Sequence, residues 1–321
     1  MTVKVWMFAA LVTCSALSHA ADSWPVKPVR IVAPFAPGGY VDFTARLVAG
    51  PLAASLGQQF VVDNRAGAGG IVGTELVARA PADGYTLVIG SAGTHAVNQS
   101  LYKKLPYDVL RDFQPVVRLT DAPSLLAVHP SLPVRNVKEL IALAKQRPEQ
   151  LAYASAGAGT STHLAAVLFE HLGKVKFVHV PYKGGGPAMV AVLAGETPLT
   201  FATASSVSPH TKSGRLRGLA VTGAERSAVL KELPTIAESG LPGYEMLNWL
   251  GLFAPAGTPK AIVDRLEAEC LRIVQMPDVI ARFNGQGAEP SPLGAAPYTA
   301  FVKKEIEKWG KVVTATGMTA Q

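Results

Sequence analysis

Two short stretches of this 321-residue chain carry donors able to grip an anion: APFAPGGYVD, Ala33 to Asp42, and ASAGAGTST, Ala154 to Thr162. Each follows a run that reads as a strand and precedes a helical pattern. A strand that enters a helix through a Gly-rich turn leaves N–H groups unpaired at the helix start, where the dipole is positive. Glycine carries no side chain to block close approach to that backbone. The main chain of Phe35, Ala36, Gly38, Gly39 and Tyr40 is therefore expected to donate from one side. Ser155, Ala156, Gly157, Thr160 and Ser161 would donate from the other, with hydroxyls at Ser155, Thr160, Ser161 and Thr162. Charge-assisted bonds of this kind are worth roughly 1.5–3 kcal/mol each, so about four to six suffice for micromolar capture.

Neighbouring residues have plainer readings beside the functional ones. Asp42 either orders its turn or meets a ligand, and pairing with Arg46 four residues on is the default for a helix first turn. Tyr40 walls the pocket or lies at the surface. His95, after Ser91 at the end of a third strand, either donates to an anion or simply starts a helix. His163 opens a helix that Thr160 or Ser161 caps, and His179 in VHVPY reads as core. Tyr182 and the turn KGGGP line the cleft or form a hinge-side loop.

Enzyme chemistry has little to stand on. The spacings GxSxG, HExxH and GxxxxGK[ST] are absent, as is a Cys-rich metal motif. GAGGIVG and GAGTST miss GxGxxG at the sixth position. Asp42 is the one carboxylate within either anion turn, so no acid–base pair is in view and binding without turnover is favoured. No cofactor and no metal are expected. A periplasmic hydrolase or isomerase of small acids, with Ser155 or Ser161 as nucleophile, is the rival reading, and a ligand-presenting sensor protein is a third.

The elements that must position these turns follow an alternating βα rhythm. Val29 to Phe35, Gln58 to Arg65 and Thr86 to Gly93 read as strands separated by helical segments, which argues for βαβ units and a parallel sheet with ligands at the strands' carboxyl ends. FQPVVRL and SLLAVHP form a fourth strand region broken at Asp121, Ala122 and Pro123. The rhythm then restarts with the helix Val137 to Gln146, the strand Leu151 to Gly157, the helix ending at Gly173, and the strands KFVHVPY, LTFATAS and LRGLAVTG. NWLGLFAPAGTP reads as a return crossing, Thr258 as the cap of the next helix, and helices about Pro277 to Asn284 and Pro297 to Gly317 close the chain. The expected fold is α/β, with two lobes around a ligand cleft and two crossover connections. Lobe 1 comprises 21–123 plus 251–321, and lobe 2 comprises 124–250. Double crossing suits lobes that close on a ligand.

Composition agrees with a globular, exported binding protein. Hydrophobic residues make up 49% and charged ones 17%. The net charge of +7 is scattered, which suits small anions rather than nucleic acid. Lys4, the apolar run Val5 to Leu17 and the small site Ser18-His19-Ala20 read as a signal peptide, 1–20, cleaved before Ala21. Cys14 follows Thr13, a poor lipoprotein context, so Cys270 is left alone as a small buried hydrophobe with no disulfide partner.

The motifs APFAPGGxxD, DNRAGAGGxxG, PADGYTL, NxxLYKKLPYD, AYASAGAGT, HVPYKGGGPA, SGRLRGLAVT, PTxAESGLPGY and WxGLFAPAGTP occur in this order. From about Pro25 to Gly317 the chain resembles the substrate-binding proteins of tripartite tricarboxylate transporters, the Bordetella uptake gene (Bug) family. The resemblance implies a periplasmic binding protein of type II topology that captures a small carboxylate and hands it to a membrane permease of one large and one small subunit. It also implies that the turns matching Phe35 to Tyr40 and Ser155 to Ser161 hold a ligand carboxylate, largely through backbone N–H and ordered water. Where relatives commonly read Phe-Asp-Asn, this chain reads Phe201-Ala202-Thr203. That departure removes a partner for a ligand amine and leaves Thr203 as a candidate contact, so a mono- or dicarboxylate without a cationic amine is expected. A monomer is expected.

Overall fold

The computed structural model describes residues 24–182, 184–227 and 230–319. The signal-peptide reading of 1–20 and Lys183 of the KGGGP turn lie outside the described residues.

Two mixed sheets form the frame. The chain begins with β1 (Val29–Ala33), α1 (Tyr40–Leu56), β2 (Phe60–Asn64), α2 (Ile71–Ala78) and β3 (Thr86–Ser91). A single π turn, Gly93–Val97, runs into α3 (Asn98–Leu101), followed by α4 (Val109–Asp112), β4 (Phe113–Asp121) and β5 (Ser124–Val128). Next come α5 (Val137–Gln146), β6 (Ala152–Ser155), α6 (Ser161–Gly173), β7 (Val178–Pro181), α7 (Gly185–Leu193), β8 (Leu199–Thr203), α8 (Ala204–Lys212) and β9 (Arg217–Val221). The chain then returns through β10 (Leu250–Pro255), α9 (Lys260–Ile273), α10 (Pro277–Gly285), β11 (Glu289–Gly294) and α11 (Ala295–Thr316).

The first sheet has the order β11-β4-β10-β3-β1-β2 and the second β7-β6-β8-β5-β9. Strands β1, β2 and β3 are parallel, so the turns after them open on one edge. β6 is likewise parallel to β7 and β8. The sheets are not all-parallel, however: β10 runs antiparallel to both β3 and β4, and β5 antiparallel to both β8 and β9. β5 and β10, the strands by which the chain enters each sheet from a crossing, run against the βαβ direction, which a right-handed βαβ count alone does not reveal.

The broken strand region resolves into β4 in the first sheet and β5 in the second, with the break at Ala122 and Pro123 as the first crossing. The second crossing, ahead of β10, lies beside it. Ala122 N–H donates to Asn248 O at 3.2 Å, Asn248 N–H donates to Ala122 O at 3.3 Å, and Pro123 bridges Leu247. An apolar cluster runs through both lobes, from Val32 and Val88 in the first to Phe169 and Phe201 in the second. Thr258 does not cap α9: its hydroxyl donates to Pro255 O at 2.8 Å, and Pro259 stands at the cap. Cys270 is fully buried within the first lobe's own apolar cluster.

Candidate functional site

The first anion turn is braced from below. Asp42 accepts from Gly38 N–H at 2.9 Å and from Arg46 Nε at 3.0 Å. Arg46 also donates to Asn64 Oδ1, and Asn64 Nδ2 donates to Phe35 O at 3.1 Å. Burial works against the Asp42 carboxylate, but the bonds from Arg46 and Gly38 outweigh it and hold its pKa below the ordinary range. Asp42 and Gly38 are therefore scaffolding. No side chain caps α1, and among the described residues the N–H groups of Ala36, Gly39 and Tyr40 find no acceptor. All three residues line the cleft.

The second turn spends more of its donors on itself than the sequence suggests. Ala156 N–H donates to Thr162 Oγ1 at 2.8 Å, Gly157 N–H to Ser155 Oγ at 3.1 Å, Gly159 N–H to His163 Nδ1 at 3.0 Å, and Thr160 N–H to Gly157 O at 3.3 Å. The Thr160 hydroxyl is taken as well, donating to Gly157 O at 2.6 Å. Among the described residues, the Ala158 N–H, the first amides of α6 and the Ser161 hydroxyl are left over, and α6 has no side-chain cap. Turn two is a rigid loop presenting a few donors.

Both turns open into one cavity of about 500 Å³. The first lobe contributes Phe35, Ala36, Gly39, Tyr40, Ser91 and Tyr102, and the second Ala156, Ala158, Thr160, Ser161 and Leu164. Of the expected site residues, Phe35, Ala36, Gly39, Tyr40, Ser91, Ala156, Thr160 and Ser161 come together here. Tyr40 walls the cavity while its hydroxyl pairs with Thr120 Oγ1 at 2.7 Å, and burial raises its pKa.

Several expected contacts lie elsewhere. His95 is fully buried, stacked on Phe253 with ring centroids 4.0 Å apart and held by Thr94 Oγ1 at 2.9 Å. Burial drives its pKa down to about 3, so it is a neutral core group rather than an anion donor. Ser155 is fully buried and its hydroxyl meets His179 Nε2 at 2.6 Å, which puts it beneath the turn; Gly157, half-buried, spends its N–H on Ser155 and does not line the cavity. His179 is half-buried, sandwiched between His163 and Tyr153, and supports the turn. Thr203 ends β8, its hydroxyl bonded to Ser206 Oγ at 3.1 Å, and does not line the cavity; nor does Ala202, which belongs to an apolar cluster of the second lobe. Tyr182 stays outside while Gly184 lines the wall.

The cavity also takes Asn98, from the polar turn after the third strand, and residues that no turn signal marks: Leu101 and Tyr102, Asn248 on the second crossing, and Met318 and Thr319 beyond α11. None of the described lining residues is charged.

Residues 44–318 match the family described as tripartite tricarboxylate transporter family receptor. Protein BugT of Bordetella pertussis is 38% identical over 299 residues, 93% of this chain and 92% of its own. The solved structure of R. palustris Rpa4515 with adipate is 40% identical with a TM-score of 0.81, covering 92% of this chain and 98% of that one. MatC from Rhodopseudomonas palustris with bound malate is 36% identical with a TM-score of 0.77, covering 90% and 100%.

Proposed function

Because the chain belongs to the tripartite tricarboxylate transporter family of receptors, the Bug family of solute-binding proteins, we propose that it captures a small carboxylate in the cleft between its lobes and delivers it to the membrane permease of such a transporter. One observation carries this reading: unpaired amides of both anion turns, at Ala36 and Gly39 on one side and Ala158 and Ser161 on the other, line a single cavity. A carboxylate between them accepts from both lobes, so binding draws the lobes together. The lobes we assign are 21–123 plus 251–321 and 124–250, joined by the paired crossings.

The ligand class follows from charge. No carboxylate is found among the described lining residues, so a ligand ammonium has no acidic partner. Adipate and malate, bound by the two neighbours, are acids without an amine. We therefore assign a mono- or dicarboxylate, aliphatic or aromatic. Turnover finds no support at the serines: Ser155, though its hydroxyl meets His179, is fully buried beneath its turn, and among the described residues no histidine is bonded to Ser161. Export to the periplasm, removal of 1–20 and action as a monomer complete the proposal.

Isothermal titration of the mature chain with adipate, malate, succinate, an aromatic dicarboxylate, glutamate and aspartate tests it, beside mass spectrometry of any acid that co-purifies. Micromolar binding of a non-amino acid, recovered chemically intact, is expected. Tight binding of an amino acid alone would refute the ligand class, and conversion of a bound acid would refute the receptor reading.

A further inference from the structure

The second crossing presents its side chains alternately, as extended chain does. Leu247 lines a separate cavity behind the crossings, with Arg118, Asp121 and Glu245. Trp249 is fully buried and edge-on to Tyr298 of α11, with centroids 5.9 Å apart. Asn248, between them, faces the ligand cavity.

Its backbone is fixed on both sides. Asn248 N–H and O both pair with Ala122 of the first crossing, and the indole of Trp249 donates to Glu305 Oε2 at 3.1 Å. The Asn248 carboxamide makes no hydrogen bond among the described residues. A rigidly mounted amide with a free donor and a free acceptor stands in a cavity whose walls mix apolar side chains such as Leu101 and Met318 with the polar Ser91, Asn98 and Thr319. An unmet amide in such a place binds best to a ligand that supplies the missing partner. On the receptor reading the free amides of the two turns are taken up by one carboxylate, which leaves the Asn248 carboxamide for a different oxygen of the acid.

We propose that Asn248 is a specificity-determining residue, whose carboxamide bonds an oxygen of the acid other than those of the carboxylate held by the two turns. This inference rests on the carboxylate-receptor reading above. The oxygen is either a hydroxyl or that of a second carboxylate, since both accept from the amide. No charged side chain is found among the described lining residues, and the other lining carboxamide, Asn98, already donates to Gly69 O at 3.3 Å, which leaves the Asn248 amide free for either.

Adipate, 6-hydroxyhexanoate and hexanoate share one chain length and differ only at the far end, so titration of these acids into the mature chain isolates the contact. Wild type is expected to bind the two oxygen-ended acids more tightly than hexanoate. Asn248→Ala should weaken adipate and 6-hydroxyhexanoate by about tenfold while hexanoate moves by less than about twofold, the loss of one amide hydrogen bond. Retained hexanoate binding shows that the variant is folded. Asn248→Asp should penalise adipate, whose far carboxylate it repels, more than 6-hydroxyhexanoate, whose hydroxyl can donate to it. Equal losses for all three acids, or no loss for any, would overturn the role of Asn248 and leave the receptor reading intact. Failure of wild type to bind any acid would bring down both.

Discussion

Gly38 and Gly39 adjoin in the first anion turn, yet a side chain would do different things at each. Gly38 has φ +83°, a left-handed conformation that costs an ordinary residue about 1–2 kcal/mol. Gly39 has φ −79°, and a Cβ there would meet nothing nearer than Ala36 O at 3.7 Å. Gly39→Val therefore folds, and its methyl groups stand where the ligand must approach the amides. At least a tenfold loss of affinity for the best-bound acid is expected by titration, with thermal stability near wild type. Unchanged binding would remove this turn from the site. The motif APGG shows that the backbone comes close to something at this point. What it hides is which N–H groups stay free, because bonds such as Ala156 to Thr162 and Gly38 to Asp42 depend on three-dimensional closure. Asn248 is hidden for a related reason: period two says that alternate residues face opposite ways, but which set faces the cleft depends on the pairing with Ala122.

Among the elements, the π turn after β3 shows how a polar-looking segment becomes core. His95 enters beneath Phe253 because Gly90 opposite has no side chain: a Cβ there would lie 2.5 Å from His95 Nδ1. The folded pKa of about 3 lies below the ordinary 6.5, so the unfolded chain takes the proton first as pH falls. Stability is whole above about pH 6.5 and erodes down to about pH 3; at pH 5 the loss is on the order of 2 kcal/mol. His163, pushed down to about 4 chiefly by burial and then by His179, acts in the same direction. Urea unfolding of His95→Phe should show the difference in stability between pH 7.5 and pH 5 reduced by about that amount, whatever the variant costs at pH 7.5. A difference equal to wild type would mean that His95 does not titrate in this way. The main strands and helices were legible because apolar runs and Gly-rich turns alternate. β11, EPSPLG, was not: Pro290 and Pro292 argue against a strand, and it forms only because it sits at the sheet edge beside β4. The return strand β10 was legible as a crossing, but its antiparallel sense was set by partners far away in sequence.

For the whole molecule, α11 is the strap that ties the crossings to the body. Glu305 is buried, and its Oε2 accepts from Trp249 at 3.1 Å and from Trp309 at 3.3 Å, while Lys308 pairs with its other oxygen. Lys308 also donates to Glu245 O at 3.3 Å, a second tie to the same crossing. Beyond the left-handed Gly317, Met318 and Thr319 reach the ligand cavity, so one helix touches crossing and cleft alike. Glu305→Ala leaves two buried indole N–H groups without an acceptor, at roughly 1–3 kcal/mol for each. Denaturant unfolding should show that loss within a single transition, since one apolar cluster spans both lobes. Saturating acid at 100 times Kd should restore about 2.7 kcal/mol. Affinity should fall as well, and here the pattern matters: loosening Trp249 shifts the whole crossing, so adipate and hexanoate weaken together. Asn248→Ala spares hexanoate, whereas Glu305→Ala does not. If Glu305→Ala instead unfolds in two steps, or leaves affinity untouched, then α11 props one lobe and the crossings carry their geometry without it.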